Sequence, residues 1–499
     1  MTPSRSRGKA TVLAVLLILP LTAARAADRF DLTPALEQAY HHIVRMEVDP
    51  AEGILDSVAG GELDNGCYHL MRNYAAFLDI YTRGGVNDYK ARKHAFDDRL
   101  QAIQRNDATD SPWSLYAQGE VALQLAVLHI KYGEYFAAIW DIRRADRTLS
   151  ANHERFPDFA PNRKAYGLLL TILGSVPDQY SAGLRFLGLD GHLTHGMRLI
   201  GSVVDDPAAS TDLRKEAAVL QAFLELHIMN DAQAALAVVR GPLFDASDAL
   251  VDAFSVAHIG VYGGDQALAI EQAMRHPQAP DFADLPHMNY LLGLGHLQQL
   301  DPQASPFFTR FIRMNRDRDH VKAAHHKLGW LALIEGDTVE YQRRMALVRT
   351  VGAAVIDADK QAVQEAEGDR IPNPTLLRAR LLTDGGDAER ALALLASRHV
   401  NHFSSTVDKT EYFYRMARIH HQLGQWDDAI PYYELTLRNG QSLDQYFAAN
   451  AAFQLGWIHE ERGDLDLAAR SYHQALDMEG YPYENSIRQK AKAGLGRVE

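Results

Sequence analysis

Residues 327–337 read KLGWLALIEGD and residues 454–464 read QLGWIHEERGD. The two stretches share Leu-Gly-Trp, and in each a Gly-Asp pair begins six positions after the tryptophan. The side chains between these shared residues differ, so the pattern preserves spacing and small size and does not preserve a set of reactive groups. Glycine readily takes the left-handed conformation that ends a helix. We therefore interpret the pattern as the first helix of a helical hairpin, followed by its turn.

An alanine five residues after the turn glycine extends this pattern along the chain. A small residue there lets the second helix approach the first closely, whereas a larger side chain would hold the two apart. At Gly336 the position is occupied by Tyr341, so that unit departs from the rule. The pattern recurs at Gly133/Ala138, Gly386/Ala391, Gly424/Ala429 and Gly463/Ala468. Helical periodicity continues between these units, and we predict an all-α solenoid of about ten to twelve antiparallel helical hairpins.

The N-terminus has the composition of an export signal. Arg5, Arg7 and Lys9 precede a short apolar run, which ends in Ala24-Arg25-Ala26. This order is typical of a secretory signal peptide, and Pro20 interrupts the run too early for a membrane anchor. We predict cleavage after residue 26 and export to the periplasm, with association to the outer membrane left open.

The charge of the chain narrows the choice of partners. Its formal net charge is −13, and removal of the basic leader makes it more negative. An acidic surface repels phosphate groups, so we expect no nucleic-acid partner, and anionic membranes are disfavoured for the same reason. A peripheral membrane association stays open. Cys67 is the only cysteine in the sequence, so no intramolecular disulfide can form.

The sequence contains no common catalytic or cofactor motif. P-loop, nucleophile-elbow, HExxH and CxxC patterns do not occur. Asp319-His320 with His325-His326, and His192 with His195, are the densest histidine groups, but neither has the spacing and the third ligand of a zinc site. Gly263-Gly264-Asp265 and Asp384-Gly385-Gly386-Asp387 each precede an Ala/Leu-rich helix and are predicted to be turns, with an anion nest as the alternative. We expect no catalytic residue, no cofactor and no metal.

Two regions resemble known families. The units that begin at Phe413 and Ala452 place their small residues and turn glycines as tetratricopeptide repeats do. Residues 162–200 are similar to the central segment of the tetratricopeptide-repeat 39 family, which includes the fungal inclusion-body-clearance protein, although His192 stands where that family commonly has Asp. The matching residues are Gly167, Leu173, Pro177, Phe186, Leu187, Gly188, Gly191 and Gly196, followed by Tyr483, Glu484, Asn485 and Ala493 in the closing helix. The chain also resembles exported repeat proteins of Bacteroidetes-type bacteria, and these resemblances imply a repeat fold and a scaffold role.

Clusters of helix-breaking residues divide the chain into groups of hairpins. They lie at 156–161, 276–280 and 370–374. The polar run 357–369 just before the last cluster is predicted to be a solvated helix face. The predicted divisions are a signal peptide (1–26), N-terminal helical hairpins (27–110), central degenerate helical repeats (111–350) and C-terminal tetratricopeptide repeats (351–499).

The resemblance to tetratricopeptide repeats also implies which residues face a ligand, because the first helices of such arrays line a concave groove. Trp457 and its counterpart Trp330 are candidates for groove contact, with packing between repeats as the alternative. The groove residues implied by the two best units are Tyr414, Arg418, His421, Gln422, Asn450, Phe453, Trp457, Glu460 and Glu461.

The function that follows is recognition. We predict a non-enzymatic scaffold or adaptor that binds a protein or peptide of the cell envelope in its groove. The alternative is a carrier of a lipid or another small apolar ligand, which the apolar segments LLLTILGSVP (168–177) and FLGL (186–189) suggest.

Overall fold

A computed structural model describes residues 30–105, 110–176, 183–279, 281–368 and 370–498. These ranges contain helices and connecting turns and no β-strand, so the all-α prediction is confirmed for the described part of the chain. The predicted signal peptide and Pro177 lie outside the described residues. None of the described helices is long and apolar enough to cross a membrane.

The helices follow one another with short connections. The first eight are Pro34–Val44 (α1), Val48–Glu62 (α2), Gly66–Thr82 (α3), Val86–Arg105 (α4), Pro112–Lys131 (α5), Tyr135–Arg155 (α6), Ala160–Gly174 (α7) and Leu193–Val204 (α8). The next eight are Thr211–Leu224 (α9), Ala232–Val239 (α10), Leu250–Gly263 (α11), Gln266–Ala273 (α12), His287–Gln298 (α13), Ala304–Met314 (α14), Val321–Glu335 (α15) and Thr338–Thr350 (α16). The last eight are Asp357–Glu367 (α17), Pro374–Asp384 (α18), Ala388–Ala396 (α19), Thr406–Gln422 (α20), Trp426–Gly440 (α21), Phe447–Glu461 (α22), Leu465–Leu476 (α23) and Glu484–Val498 (α24).

Successive helices pack in pairs as hairpins. Within the described ranges there are eleven pairs, from α1/α2 to α15/α16 and from α18/α19 to α22/α23. The helix α17 lies between the two series without a partner of its own, and α24 closes the array against α22 and α23. Each pair covers the apolar face of its neighbour, so the core is a series of clusters along the array and has no single centre.

The turn glycines have the conformation that the sequence pattern predicted. Gly336, Gly386, Gly424 and Gly463 all have positive φ, between 71° and 93°. The alanines five residues after Gly133, Gly386, Gly424 and Gly463 are at most 2% exposed. The close approach of the two helices is therefore confirmed at these hairpins.

The glycine of Leu-Gly-Trp marks the tightest point of each hairpin. A Cβ added at Gly329 would lie 2.6 Å from Cε of Met345, and one added at Gly456 would lie 2.6 Å from Cδ1 of Tyr472. In the first copy the aspartate after the turn caps the second helix, since Asp337 accepts a hydrogen bond from the backbone N–H of Glu340 at 2.9 Å. Asp464 makes no such bond in the second copy.

The polar run forms α17 over residues 357–367, and only part of it is the solvated face that the sequence suggested. Asp357, Lys360, Gln364 and Glu367 are exposed, whereas Asp359 is fully buried. The carboxylate of Asp359 accepts hydrogen bonds from the backbone N–H groups of His320 and Ala323, both at 2.8 Å. These are donors at the N-terminus of α15 that have no partner within their own helix. Asp359 is therefore buried because it caps a helix from a distant part of the chain.

The array is wound tightly enough for distant hairpins to touch. Nζ of Lys131 lies 3.1 Å from Oδ2 of Asp317. Nε2 of Gln489 donates to the carbonyl of Ser175 at 2.9 Å. The α11/α12 and α18/α19 turns meet backbone to backbone, because a Cβ at Gly386 would overlap the carbonyl of Gly264.

Replacement of Gly386 with alanine tests whether this contact between turns stabilises the winding. Any side chain at positive φ costs about 1–2 kcal/mol, and the overlap with Gly264 should add about 1–3 kcal/mol. Gly424→Ala is the matched control, because Gly424 has φ of 71° but no atom within 4 Å of its added Cβ. Thermal unfolding followed by circular dichroism should show a larger fall in Tm for Gly386→Ala than for Gly424→Ala. Equal falls would mean that the contact between the turns contributes nothing.

Candidate ligand-binding groove

A chamber of about 550 Å³ opens on the concave side of the second half of the array. Its volume is in the range of ligand sites in proteins. Apart from α17, every helix that lines it is the first helix of a hairpin. The lining residues are Val261, Tyr262, Gly263, Gly264, Tyr290, Leu294, Gln298, Lys327, Trp330, Ala358, Gln361, Arg380, Leu381, Thr383, Asp384, Arg418, His421, Gln422 and Gln454.

The indole of Trp330 forms one wall together with two cations. Nζ of Lys327 lies 3.4 Å from the centroid of the indole ring, and Cζ of Arg380 lies 4.9 Å from it. Trp330 itself is 2% exposed, and its Nε1–H donates to Oε1 of Glu365 at 2.8 Å. Most of Trp330 is thus used for packing, which was the alternative to groove contact. Its ring holds the two cations in place through cation–π contact.

The carboxylate of Glu365 anchors this wall from behind. It also accepts from Oη of Tyr341 at 3.1 Å and lies 3.0 Å from Nε2 of His326. Burial disfavours its charged form, but the interaction with His326, the hydrogen bond from Trp330 and the charge of Lys327 outweigh burial and hold its pKa at about 2. Glu365 is therefore charged and already fully engaged at neutral pH.

Lys327 has no carboxylate at ion-pair distance among the described residues. Burial, and after it the positive charge of Arg380, lower the pKa of Lys327 to about 7, although the charges of Glu365 and Asp384 act in the opposite direction. An anion that entered the chamber would favour the protonated amine, because opposite charge at short range stabilises the charged form.

Arg418 and His421 form the facing wall, on α20. The hydroxyl of Tyr433 lies 3.0 Å from Nδ1 of His421, and the positive charge of Arg418 opposes the rise that burial causes in the pKa of Tyr433. Burial lowers the pKa of His421 to about 3, with Arg418 as the second cause, so the imidazole is neutral. The part of the chain that the structure describes supplies no carboxylate within ion-pair distance of Arg418.

The chamber is cationic in an acidic protein. Lys327, Arg380 and Arg418 line it, and Asp384 is the one carboxylate among the lining residues. Oδ2 of Asp384 lies 3.4 Å from Nε of Arg380, and among the described residues Lys327 and Arg418 have no carboxylate at ion-pair distance. Lys490 of α24 lies near Arg418. Burial, and after it the positive charge of Arg418, lower the pKa of Lys490.

The structure brings three of the predicted groove residues to the chamber: Arg418, His421 and Gln422. The other predicted residues lie outside the lining. Tyr414 is 4% exposed and donates to Oδ1 of Asn450 at 2.9 Å, so this pair joins α20 to α22.

The remaining predicted residues lie near the end of the array. Phe453 packs against Tyr472, with ring centroids 6.1 Å apart, and the Trp457 ring stacks on His421 at 4.9 Å. Glu460 accepts from Tyr472 at 2.5 Å, and Glu461 is exposed where α22 ends. Their part in binding stays a prediction.

Sequence reasoning missed Lys327, Arg380 and Gln454, although the signal was present. Lys327 and Gln454 are the first residues of the two quoted stretches, directly before Leu-Gly-Trp. Trp330, Arg380 and Arg418 each lie six residues before the left-handed glycine of their hairpin, at Gly336, Gly386 and Gly424. That offset places all three on the concave face. Applied to α18, the rule would have found Arg380.

In the first half of the array, polar side chains fill the place where the first helices α1, α3, α5, α7 and α9 meet. Nζ of Lys164 lies 2.6 Å from Oε1 of Glu216 and 3.6 Å from Oε2 of Glu120. Tyr40 donates to Oε2 of Glu216 at 2.5 Å, and Tyr74 donates to its other oxygen. Lys164 is 1% exposed. The charged groups where these first helices meet are thus paired and buried, in contrast to Lys327 and Arg418 in the chamber.

The histidine groups do not assemble a metal centre among the described residues. No three His, Cys, Asp or Glu side chains in those ranges are placed to hold an ion. The two glycine-rich segments are turns, as predicted, and Asp265 and Asp387 cap the helices that follow.

Comparison with known proteins identifies one segment by sequence. A profile described as "Tetratricopeptide repeat" matches residues 410–478, which correspond to α20–α23. The curated proteins contain no match to the chain. Among solved structures, the crystal structure of yeast Tom70 is similar, with 12% sequence identity, 82% of this chain and 94% of that chain covered, and a TM-score of 0.23. At that TM-score nothing about the function of this chain is taken from the likeness.

Proposed function

We propose that this protein is a non-enzymatic scaffold that binds an extended, anionic segment of another protein in the chamber formed by α11–α22. The observation that carries the proposal is that Lys327 and Arg418 line the same concave surface and, among the described residues, have no carboxylate at ion-pair distance. Buried charges are normally paired. A ligand that brings carboxylates to these two positions would supply the missing partners.

The shape and chemistry of the lining support a polypeptide. First helices stacked side by side form a continuous surface along which an extended chain can lie. Gln298, Gln361, Gln422 and Gln454 offer amide groups that can bond to a peptide backbone. The same polar lining gives little support to the alternative, a carrier of an apolar lipid.

We place the scaffold outside the cytoplasm, in the periplasm. The support is the leader pattern of residues 1–26. Mass spectrometry of the N-terminus of the protein isolated from its own cells should find a chain that begins at Ala27. An intact leader on protein recovered from the cytoplasmic fraction would contradict export.

Arg418→Glu tests the role of the chamber directly. The change places a carboxylate where the ligand is expected to bring its own, and like charges at short range repel. Fluorescence anisotropy with a labelled acidic peptide library should show a loss of affinity of at least tenfold, with helicity unchanged by circular dichroism.

Arg470→Glu is the control for net charge, because Arg470 is an exposed residue of α23 outside the chamber. It should leave binding within about twofold of wild type, since surface substitutions have small effects. Equal losses in the two variants would refute a groove role for Arg418. Native mass spectrometry of the purified protein addresses the alternative, since a bound lipid would favour a carrier.

The affinity for an acidic peptide should depend on pH through Lys327. With a pKa of about 7 in the empty chamber, the amine is largely neutral above that pH and must take up a proton to pair with a carboxylate. Affinity should therefore be flat below about pH 6 and fall by up to tenfold per unit above pH 7. Lys327→Met should remove this slope between pH 7 and 9. The same slope in wild type and variant would show that another group is responsible.

A further inference from the structure

The tip of the α5/α6 hairpin carries the densest group of exposed large apolar side chains in the described part of the molecule. Elsewhere such residues are mostly single, which is normal for a soluble surface. At this tip five occur within fourteen residues of sequence. Their exposed fractions are 37% for Val127, 48% for Ile130, 57% for Tyr135, 87% for Phe136 and 65% for Trp140. None of them lines the chamber.

On α6 the exposed residues form one stripe that changes from aromatic to basic. Phe136, Trp140, Arg143 and Arg147 are separated by four, three and four positions, which places them on one face of a helix. All four are exposed. Cζ of Arg143 lies 5.3 Å from the ring centroid of Trp140, so the two halves of the stripe are in contact.

The charges that face outward beside the tip are positive. Among the described residues no carboxylate pairs with Arg143 or Arg147. The carboxylates of the tip are engaged inward: Oδ2 of Asp141 lies 2.8 Å from Nδ1 of His129, and Oε1 of Glu134 lies 3.2 Å from Nζ of Lys93. Asp146, half-buried on α6, is the nearest acid on the basic half of the helix. The stripe is thus a local basic and aromatic surface on an acidic protein.

We propose that this tip docks on a lipid surface with anionic headgroups. Phe136 and Trp140 would enter the interface between headgroups and acyl chains, and Arg143 and Arg147 would meet the phosphates. Tryptophan and tyrosine prefer that depth, and arginine pairs well with phosphate. The contact would hold the scaffold at a membrane surface.

Two features favour a lipid surface over a pocket in another protein. The apolar side chains stand at the end of a hairpin, and the ring of Phe136 is 87% exposed, so the described part of the chain covers little of it. They also extend over both helices of the hairpin, as suits a broad, soft surface. The net charge of −13 does not prevent this contact, because beyond a Debye length of about 8 Å in physiological salt charges are largely screened and the local arginines dominate.

Vesicle flotation with the full chain tests the proposal. Wild-type protein should float with vesicles of 70% phosphatidylcholine and 30% phosphatidylglycerol. Phe136→Ser with Trp140→Ser should lower the bound fraction at least tenfold. Arg143→Gln with Arg147→Gln should lower binding to these vesicles several-fold, and should not change the weaker binding to pure phosphatidylcholine.

Substitutions of exposed apolar residues elsewhere provide the controls. Val339→Ser and Leu465→Ser, at positions 80% and 48% exposed, should float like wild type. All variants keep residues 1–29, so any contribution of that segment to flotation is the same in each protein that is compared. The fluorescence of Trp140, obtained by subtracting the spectrum of Trp140→Phe, should shift to the blue and be quenched by brominated lipid.

Three results would overturn the proposal. They are no flotation of wild type, undiminished flotation of the Phe136/Trp140 double variant, or loss in that variant of crosslinks to a protein with no change in lipid binding. The third result would assign the tip to a protein contact. Acidic-peptide binding in the chamber is measured separately, so failure here leaves the proposed scaffold function standing.

Discussion

The architecture depends on a left-handed residue that ends the first helix of a hairpin, and this residue is a glycine in six of the eleven hairpins that the structure describes. It reverses the chain within a few residues, and it fixes the register of the helix before it. In α15, α18 and α20 the residue six positions earlier faces the chamber, whether it is Trp330, Arg380 or Arg418. A constraint on the backbone thus decides which side chains a ligand can meet, while their identity stays free to vary.

The two halves of the array use the same inward positions differently. In the first half, Lys164, Glu216 and their tyrosine partners satisfy one another where the first helices meet. In the second half, α17 and the wall around Trp330 border a chamber, and among the described residues Lys327 and Arg418 have no carboxylate at ion-pair distance. The two halves therefore differ in whether their inward charges form ion pairs.

Much of the fold could be predicted from the sequence because it rests on short-range rules. Turn glycines and the alanines that follow them report local geometry, and they lie where their spacing indicated. The role of Asp359 could not be read in this way, because its partners at the N-terminus of α15 are some forty residues away in sequence. A polar residue such as Asp359 is expected to be solvated unless the helix that it caps is known.

Part of the candidate site could also be predicted, because α20 follows a local repeat pattern. Arg418, His421 and Gln422 follow from the resemblance of α20 to one repeat. Lys327 comes from a hairpin that departs from the repeat at Tyr341, and Arg380 comes from a hairpin that keeps the Gly386/Ala391 pair but lies outside the matched residues 410–478. Both residues meet α20 across the winding of the array. That winding depends on contacts such as the one between Gly264 and Gly386, which leave no periodic trace in the sequence.

The most direct test of the account is hydrogen–deuterium exchange of the protein with and without a bound acidic polypeptide. Binding in the chamber predicts slower exchange in α15, α18, α20 and α22, with α3, α5 and α7 unchanged because their inner face is already closed. Protection confined to the first half of the array, or spread over the second helices α16, α19, α21 and α23, would contradict it.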